Sequence, residues 1–340
     1  MLAVSSAAMT HHFTKKVLIT DYVWPTLDPE RVVLEAAGVQ LVVAPDGRED
    51  TLATLAVEVD ALMFCFARVT GKVLRAAPKC KVASRYGIGV DNIDIPVATE
   101  LGIAVTNVPD YCIDEVSDHA LGMVLALDRR LGQHDRAVKS GNWTKVRLNQ
   151  PMHRTRGATL GIVGFGRIGR SIAAKAAPFG MRVLAYDPLL KIGDSVAGAE
   201  VVRFDRVLAE SDFVTVHVPL TAQTSGLFGA REFARMKRGS IIVNCARGGL
   251  VDENALADAL ASGHIGGAGL DVLDPAPPPA DHPLFQQENV IITPHTAFFS
   301  QASTHELETR TAKEVLRVLS GQKPENLINP QVLGKSRAGF

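Results

Sequence analysis

The chain is poor in cysteine and in the largest aromatics, with four Cys, two Trp and four Tyr among 340 residues. Cys65, Cys80, Cys112 and Cys245 stand far apart and form no CxxC pair, so neither a disulfide framework nor a cysteine-held zinc site is indicated. An excess of charge of one sign is also missing. Thirty-six Lys and Arg balance thirty-six Asp and Glu, whereas a surface built for nucleic acid or anionic lipid needs a basic excess. No run approaches the roughly 20 apolar residues of a membrane span. Residues 1–16 lack a charged region ahead of an apolar core, so they read as a tail, or as a start at Met9, rather than a signal peptide. These absences leave a cytoplasmic protein with no metal, nucleic acid or membrane partner. Its 46% apolar and 21% charged residues suit a sizeable core, and its length suits two domains.

What is present is an alternation of short apolar runs and helical patterns along nearly the whole chain, which indicates an α/β fold with parallel sheets. In the first third, strands are expected at 17–20, 40–43, 61–65, 82–85 and 104–106, with helices at 30–37 and 51–57. A second series is expected at 159–163, 182–186, 213–217, 240–243, 267–270 and 290–293. Between the two series a long amphipathic helix begins near Asp114, with Val116, Ala120, Met123, Leu127 and Leu131 on one face. Residues 132–157 follow without strong periodicity. A last helix, 302–319, stops at Gly321 with Pro324 beyond.

The segment Thr159-Leu-Gly-Ile-Val-Gly164-Phe-Gly166-Arg167-Ile168-Gly169 places a GxGxxG directly after an apolar strand and at the start of a helix. Asp187 ends the next strand, eighteen residues after Gly169. A bare GxGxxG is weak evidence, but this arrangement is the dinucleotide fingerprint. Gly164 makes the tight turn, Gly166 lets the backbone approach a pyrophosphate, and Gly169 permits close helix–strand packing. The pyrophosphate would sit on the helix N-terminus beside Arg167 and Ile168. Asp187 would accept from ribose hydroxyls and repel a 2′-phosphate, so NAD is favoured over NADP.

Three further segments carry a likeness: Tyr86-Gly-Ile88-Gly89-Val-Asp-Asn-Ile-Asp, Val243-Asn-Cys245-Ala-Arg247-Gly-Gly-Leu-Val-Asp-Glu253, and Ile292-Thr-Pro-His295-Thr-Ala297. With the glycine loop, they resemble the D-isomer-specific 2-hydroxyacid dehydrogenase family, and finer features are most like its C-terminal-binding-protein branch. The resemblance implies two doubly wound parallel-sheet lobes with a cleft between them. One is a flavodoxin-like substrate domain (14–109 plus 298–330) and the other a Rossmann NAD-binding domain (110–297). It also implies a two-fold homodimer formed by the Asp114 helix and the 132–157 arm. A fixed planar guanidinium suits two-pronged contact with a carboxylate and a carbonyl, and this is the role of Arg247. A group that gives and takes a proton near neutrality suits His295. Tyr86, Ile88 and Gly89 lie in a loop expected to offer backbone N–H groups to the substrate carboxylate. Arg85 corresponds to a substrate-contacting arginine or is a structural ion-pair partner. Phe298 takes the place of an aromatic substrate contact, with Phe66 and Phe299 near it and Phe64 read as core. Asp271 should accept from the nicotinamide amide, with Cys245 along the cofactor.

One departure matters. The family pattern carries a glutamate five residues after that aspartate, where this chain has Ala276 in Asp271-Val-Leu-Asp274-Pro-Ala276-Pro277. Alanine can neither orient the histidine nor stabilise its charged form. Either Asp274 substitutes, or the histidine works unassisted, or turnover is lost and NAD binding kept. The resulting expectation is an NAD(H)-dependent oxidoreductase interconverting a small or medium 2-keto acid and the D-2-hydroxy acid. The alternative is an NAD-sensing binding protein. Formate oxidation is disfavoured because the glutamine of formate dehydrogenases is missing at Ala276. Phosphoglycerate is disfavoured because the outer lobe has no basic cluster.

Overall fold

A computed structural model describes residues 14–143, 152 and 154–340. The expectations for residues 1–13, and those for 144–151 and 153 in the arm, lie outside the described residues. The chain divides into two compact units, one of residues up to Tyr111 together with Ser300–Phe340, the other Cys112–Phe299.

The first unit is a five-stranded sheet of β1 (Lys15–Ile19), β2 (Val39–Val43), β3 (Ala61–Phe64), β4 (Val82–Arg85) and β5 (Ala104–Thr106). Its order, β2-β1-β3-β4-β5, is parallel throughout and is the flavodoxin-like doubly wound order. β3 and β4 are buried along their whole length, as expected of parallel strands covered on both faces. The Gln301–Leu319 helix returns from the far end of the chain to pack on β3, β4 and β5. The chain beyond it is tied down by Asn329, fully buried. Its side chain accepts from Val105 N and donates to Thr99 Oγ1 and Ile103 O. Arg337 follows with Nη1 donating to the Ala77 and Cys80 carbonyls.

The second unit holds β6 (Thr159–Val163), β7 (Arg182–Tyr186), β8 (Ser195–Val196), β9 (Ala199–Val201), β10 (Phe213–Val216), β11 (Ser240–Asn244), β12 (Ile265–Leu270) and β13 (Val290–Ile292). The order is β13-β12-β11-β10-β6-β7-β9-β8, with β8–β9 the antiparallel pair. The chain reverses direction between β6 and β10, the switch point at which doubly wound sheets bind ligands. The β8–β9 hairpin is too short and too polar to have registered as a strand pattern.

The amphipathic helix spans Ile113–Asp128, with Val116, Ala120 and Met123 buried. Its expected face does not continue to Leu131. Arg130 takes a left-handed φ of 52°, which ends a helix and turns the chain, and a separate helix, Leu131–Lys139, follows in the stretch read as aperiodic. Leu131 is accordingly exposed. The long helix lies close to β12 because that strand is glycine-rich. A Cβ at Gly269 would sit 2.9 Å from Met123 Sδ, and one at Gly267 would be 3.4 Å from Leu127.

The Asp28–Leu34 and Gln301–Leu319 helices of the first unit pack together and bury two acids, Glu30 at 0% and Glu308 at 5% exposure. Burial, with Glu30 and Asp28 adding negative charge, pushes the Glu308 carboxyl up to about 8 from 4.5. A carboxyl that keeps its proton when folded but ionises near 4.5 when unfolded stabilises the fold most below 4.5. That stability is lost as pH rises toward 8. Glu308→Gln should therefore melt a few degrees above the parent at pH 9, roughly 1–2 kcal/mol, and match it near pH 4.5. Thermal scans at the two pH values check this, and equal shifts at both would contradict it.

Candidate functional site

In the second unit, Tyr186, Val163, Val216, Asn244, Leu270 and Ile292 are register partners across six adjacent parallel strands, β7-β6-β10-β11-β12-β13. They form one row at the C-terminal edge of the sheet. Asp187, Gly164, His217, Cys245 and Asp271 each come one residue after this row, and Arg247 and His295 three residues after it. Residues far apart in sequence thus arrive at one edge because the strands end level.

The glycine turn is built as its spacing requires. Gly164 has φ +94°, and a Cβ there would lie 2.6 Å from the His217 carbonyl group; one at Gly169 would lie 2.4 Å from Gly164 O. At Gly166 a Cβ would meet nothing within 4 Å, so backbone faces open space at the start of the Arg167–Ala176 helix. The N-cap, Gly166, has no side chain to cap that helix, and a helix start of this kind suits an anion. Asp187 straps the turn: Oδ2 accepts from Phe165 N and Oδ1 from Leu189 N, both at 2.9 Å. Each oxygen keeps acceptor capacity for a ribose hydroxyl. An open backbone cradle, an uncapped helix start and a carboxylate beyond the next strand fit a dinucleotide. Burial holds the His217 imidazole neutral, its pKa lowered to about 3, with Thr215 Oγ1 at 2.7 Å.

Past β11, Asn244 is fully buried and shapes the Arg247 turn. Its Nδ2 donates to Arg247 O at 2.8 Å and its Oδ1 accepts from Ala246 N at 3.0 Å. Arg247 itself donates to Ala246 O. Cys245 is a thiol whose pKa burial pushes up. Gly248 is required by contact, since a Cβ would fall 2.4 Å from the Leu273 carbonyl carbon. Past β13, His295 takes a φ of +55°, a costly conformation for a residue with a Cβ. Its N–H donates to Asp271 O at 2.8 Å and Thr293 O at 3.0 Å. Phe298 turns its ring edge to His295, with centroids 6.3 Å apart.

Asp271 is 1% exposed and does work that the sequence did not disclose. Its Oδ1 accepts from Thr293 Oγ1 at 2.6 Å and Thr296 N at 2.8 Å, and its Oδ2 accepts from Ala297 N at 2.9 Å. The carboxylate expected to meet a nicotinamide amide thus also clasps both flanks of His295. Ala276 and Asp274 are exposed. Asp274 N donates to Glu253 Oε1 at 2.8 Å, and Glu253 Oε2 pairs with His282 Nε2 at 2.7 Å. The Asp274 carboxylate lies beside Gly249.

In the first unit, Arg85 is 7% exposed and donates to Tyr86 O. It lies 5.9 Å from the Phe66 ring centroid, and its buried Nε has no hydrogen-bond partner. Among the described residues no carboxylate pairs with it. The expected role of Tyr86 needs correcting. Its ring is 1% exposed, its hydroxyl donates to Glu30 at 2.8 Å, and its N–H donates to Phe64 O. The Gly87 N–H donates to Arg85 O. Loop donors toward a ligand are therefore to be sought at Ile88 and Gly89, not at Tyr86. Phe64 is core, and Phe66 and Phe299 are exposed.

The glycine geometry yields a test. Gly166→Ala adds a methyl only to open space, so the melting temperature should stay within about 1 °C. NADH binding by fluorescence should weaken about tenfold or more, because the methyl occupies the anion's approach. Gly169→Ala should impair folding and binding together. Unchanged NADH affinity in Gly166→Ala would remove this turn from the cofactor site.

Residues 121–297 match the family model described as D-isomer specific 2-hydroxyacid dehydrogenase, NAD binding domain. A glyoxylate reductase of Korarchaeum cryptofilum is 41% identical over 276 residues, 80% of this chain and 83% of that protein. A D-3-phosphoglycerate dehydrogenase of Methanocaldococcus jannaschii is 37% identical over 95% of this chain, which spans only 61% of its length. Among solved structures, an NAD-dependent formate dehydrogenase of Staphylococcus aureus in complex with NAD matches with a TM-score of 0.83. The identity is 29%, over 93% of this chain and 99% of that one. The chain belongs to the D-isomer-specific 2-hydroxyacid dehydrogenase family, and residues 121–297 are its NAD-binding domain.

Proposed function

We propose that this NAD-dependent dehydrogenase interconverts a small or medium 2-keto acid and its D-2-hydroxy acid, with Arg247 and His295 as the reacting pair. The observation that carries the reading is the level row of strand ends, which sets the NAD turn, Arg247, Asp271 and His295 along one sheet edge. Bound NAD supplies or accepts the hydride at the substrate's 2-carbon. In the reducing direction Arg247 holds the carboxylate and polarises the carbonyl through its planar fork. His295 delivers the proton to the carbonyl oxygen and regains it in the reverse direction. Arg85, Ile88, Gly89 and Phe298 are assigned to the substrate, and Arg167, Ile168, Asp187, Cys245 and Asp271 to the cofactor. Two relatives that this chain covers over more than four fifths of their length, at 41% and 40% identity, are called glyoxylate reductases, which supports the short end of the substrate range.

With Ala276 in place of the glutamate, we read His295 as working without a carboxylate partner from that position. Reduction needs the charged imidazolium, so turnover should rise toward acid pH. The assay follows NADH oxidation from pH 5 to 8 with glyoxylate, hydroxypyruvate, 2-ketoisocaproate and phenylpyruvate, and NAD reduction with formate. Arg247→Ala should cost about 10²–10³ in kcat/KM, the usual toll of removing one preorganised donor. Silence across the panel alongside tight NADH binding would replace this reading with the NAD-sensing one. Turnover of formate alone would move the substrate assignment.

The Leu131–Lys139 helix and the residues after it expose Leu131 at 58%, Val138 at 37% and Trp143 at 77%, apolar side chains that a homodimer interface would cover. Light scattering should give twice the chain mass, and Leu131→Asp with Trp143→Ser should halve it. None of the four cysteines forms a disulfide, which fits a reducing, cytoplasmic setting.

A further inference from the structure

We propose that His119 is a positioning residue for the reaction, acting through Thr293 and Asp271 to hold the segment that presents His295. The proposal rests on the reading of His295 as the acid/base.

Three donors converge on the buried Asp271 carboxylate: two backbone N–H groups and the Thr293 hydroxyl. A carboxylate only accepts, so Thr293 uses its single proton toward Oδ1. The threonine oxygen can then only accept from His119 Nε2, 3.0 Å away. Hydrogen-bond direction therefore fixes the imidazole with its proton on Nε2, and the chain runs His119 Nε2–H to Thr293 O–H to Asp271. His119 Nε2 is also 3.8 Å from Asp271 Oδ1.

The helix bearing His119 is held at this distance by the side-chain-free face of β12, where Gly269 admits Met123. At the other end of the chain, Asp271 grips Thr296 and Ala297 by its side chain and His295 N by its carbonyl, on either side of a strained +55° φ. A left-handed histidine returns toward an ordinary conformation unless its neighbours over-determine it. Asp271 can turn its oxygens toward the 296–297 amides only while Thr293 is oriented, and His119 sets that orientation. The position at which the family pattern carries a glutamate is the exposed Ala276 here.

The experiment compares His119→Phe, His119→Gln, Thr293→Val and His295→Gln in the holoenzyme, using the best substrate of the panel. His119→Phe and Thr293→Val should each lower kcat about tenfold or more, as loss of an orienting partner does, with a clearly smaller loss of NADH affinity, to which Asp271 contributes only one contact. His119→Gln, whose amide N–H can replace Nε2–H, should restore kcat to within about threefold. The His119→Phe/Thr293→Val double variant should be no worse than either single, because both cut one chain. Independently of turnover, nitrogen NMR of the wild-type protein should show His119 as the Nε2–H tautomer. Unchanged kcat in His119→Phe, a loss matched by NADH affinity or thermal stability, or an Nδ1–H tautomer would each overturn the proposal. Full activity in His295→Gln would instead overturn the acid/base assignment itself.

Discussion

The carboxylate of Asp271 is the constraint around which this site is arranged. A buried charge without partners is far too costly to keep, and Asp271 meets that cost with three short hydrogen bonds from one turn. Those bonds define the turn. They bring Thr293, Thr296 and Ala297 to one point, and the residue between them, His295, is left with the backbone conformation the others impose. Satisfying an electrostatic demand at the end of β12 is therefore also what sets the direction of a side chain beyond β13.

Around that point the geometry is inherited from the sheet. β11, β12 and β13 are parallel and end in register, so short segments of one to three residues suffice to bring Arg247, Asp271 and His295 to a common edge. The turn at Gly164 reaches the same edge through β6 and β10. Glycine contributes twice in different ways: at Gly166 by leaving backbone open to a ligand, and at Gly267 and Gly269 by letting a helix lie directly on a strand.

How much of this could be read in advance depended on the range of each interaction. The glycine turn was legible because Gly164, Gly166, Gly169 and Asp187 act locally within one strand–turn–helix unit, and most strands were placed within two residues. The end of the long helix was missed because one left-handed residue, Arg130, overrides a favourable hydrophobic period. Tyr86 was counted in a loop offering backbone N–H groups to a substrate, but its N–H is taken by Phe64 O and its hydroxyl by Glu30, 56 positions away. The second role of Asp271 depends on partners 22 to 26 positions downstream. The bond from His119 spans 174 positions, and nothing in either local sequence announces it. Pairings of that range appear only once the chain is folded.

The discontinuous make-up of the first unit also dictates an order of events during synthesis. Cys112–Phe299 is continuous and has all its strands by the time Phe299 emerges, so it can acquire its structure on the ribosome as domains generally do. The sheet of β1 to β5 has by then been waiting since early in translation, with the faces destined for the Gln301–Leu319 helix still uncovered. Nor does β5 yet have the buried amide of Asn329 that will pin its edge. Although its strands precede those of the second unit, this unit is completed after it. In that interval its bare apolar strands are open to wrong partners, and residues 300–340 close it.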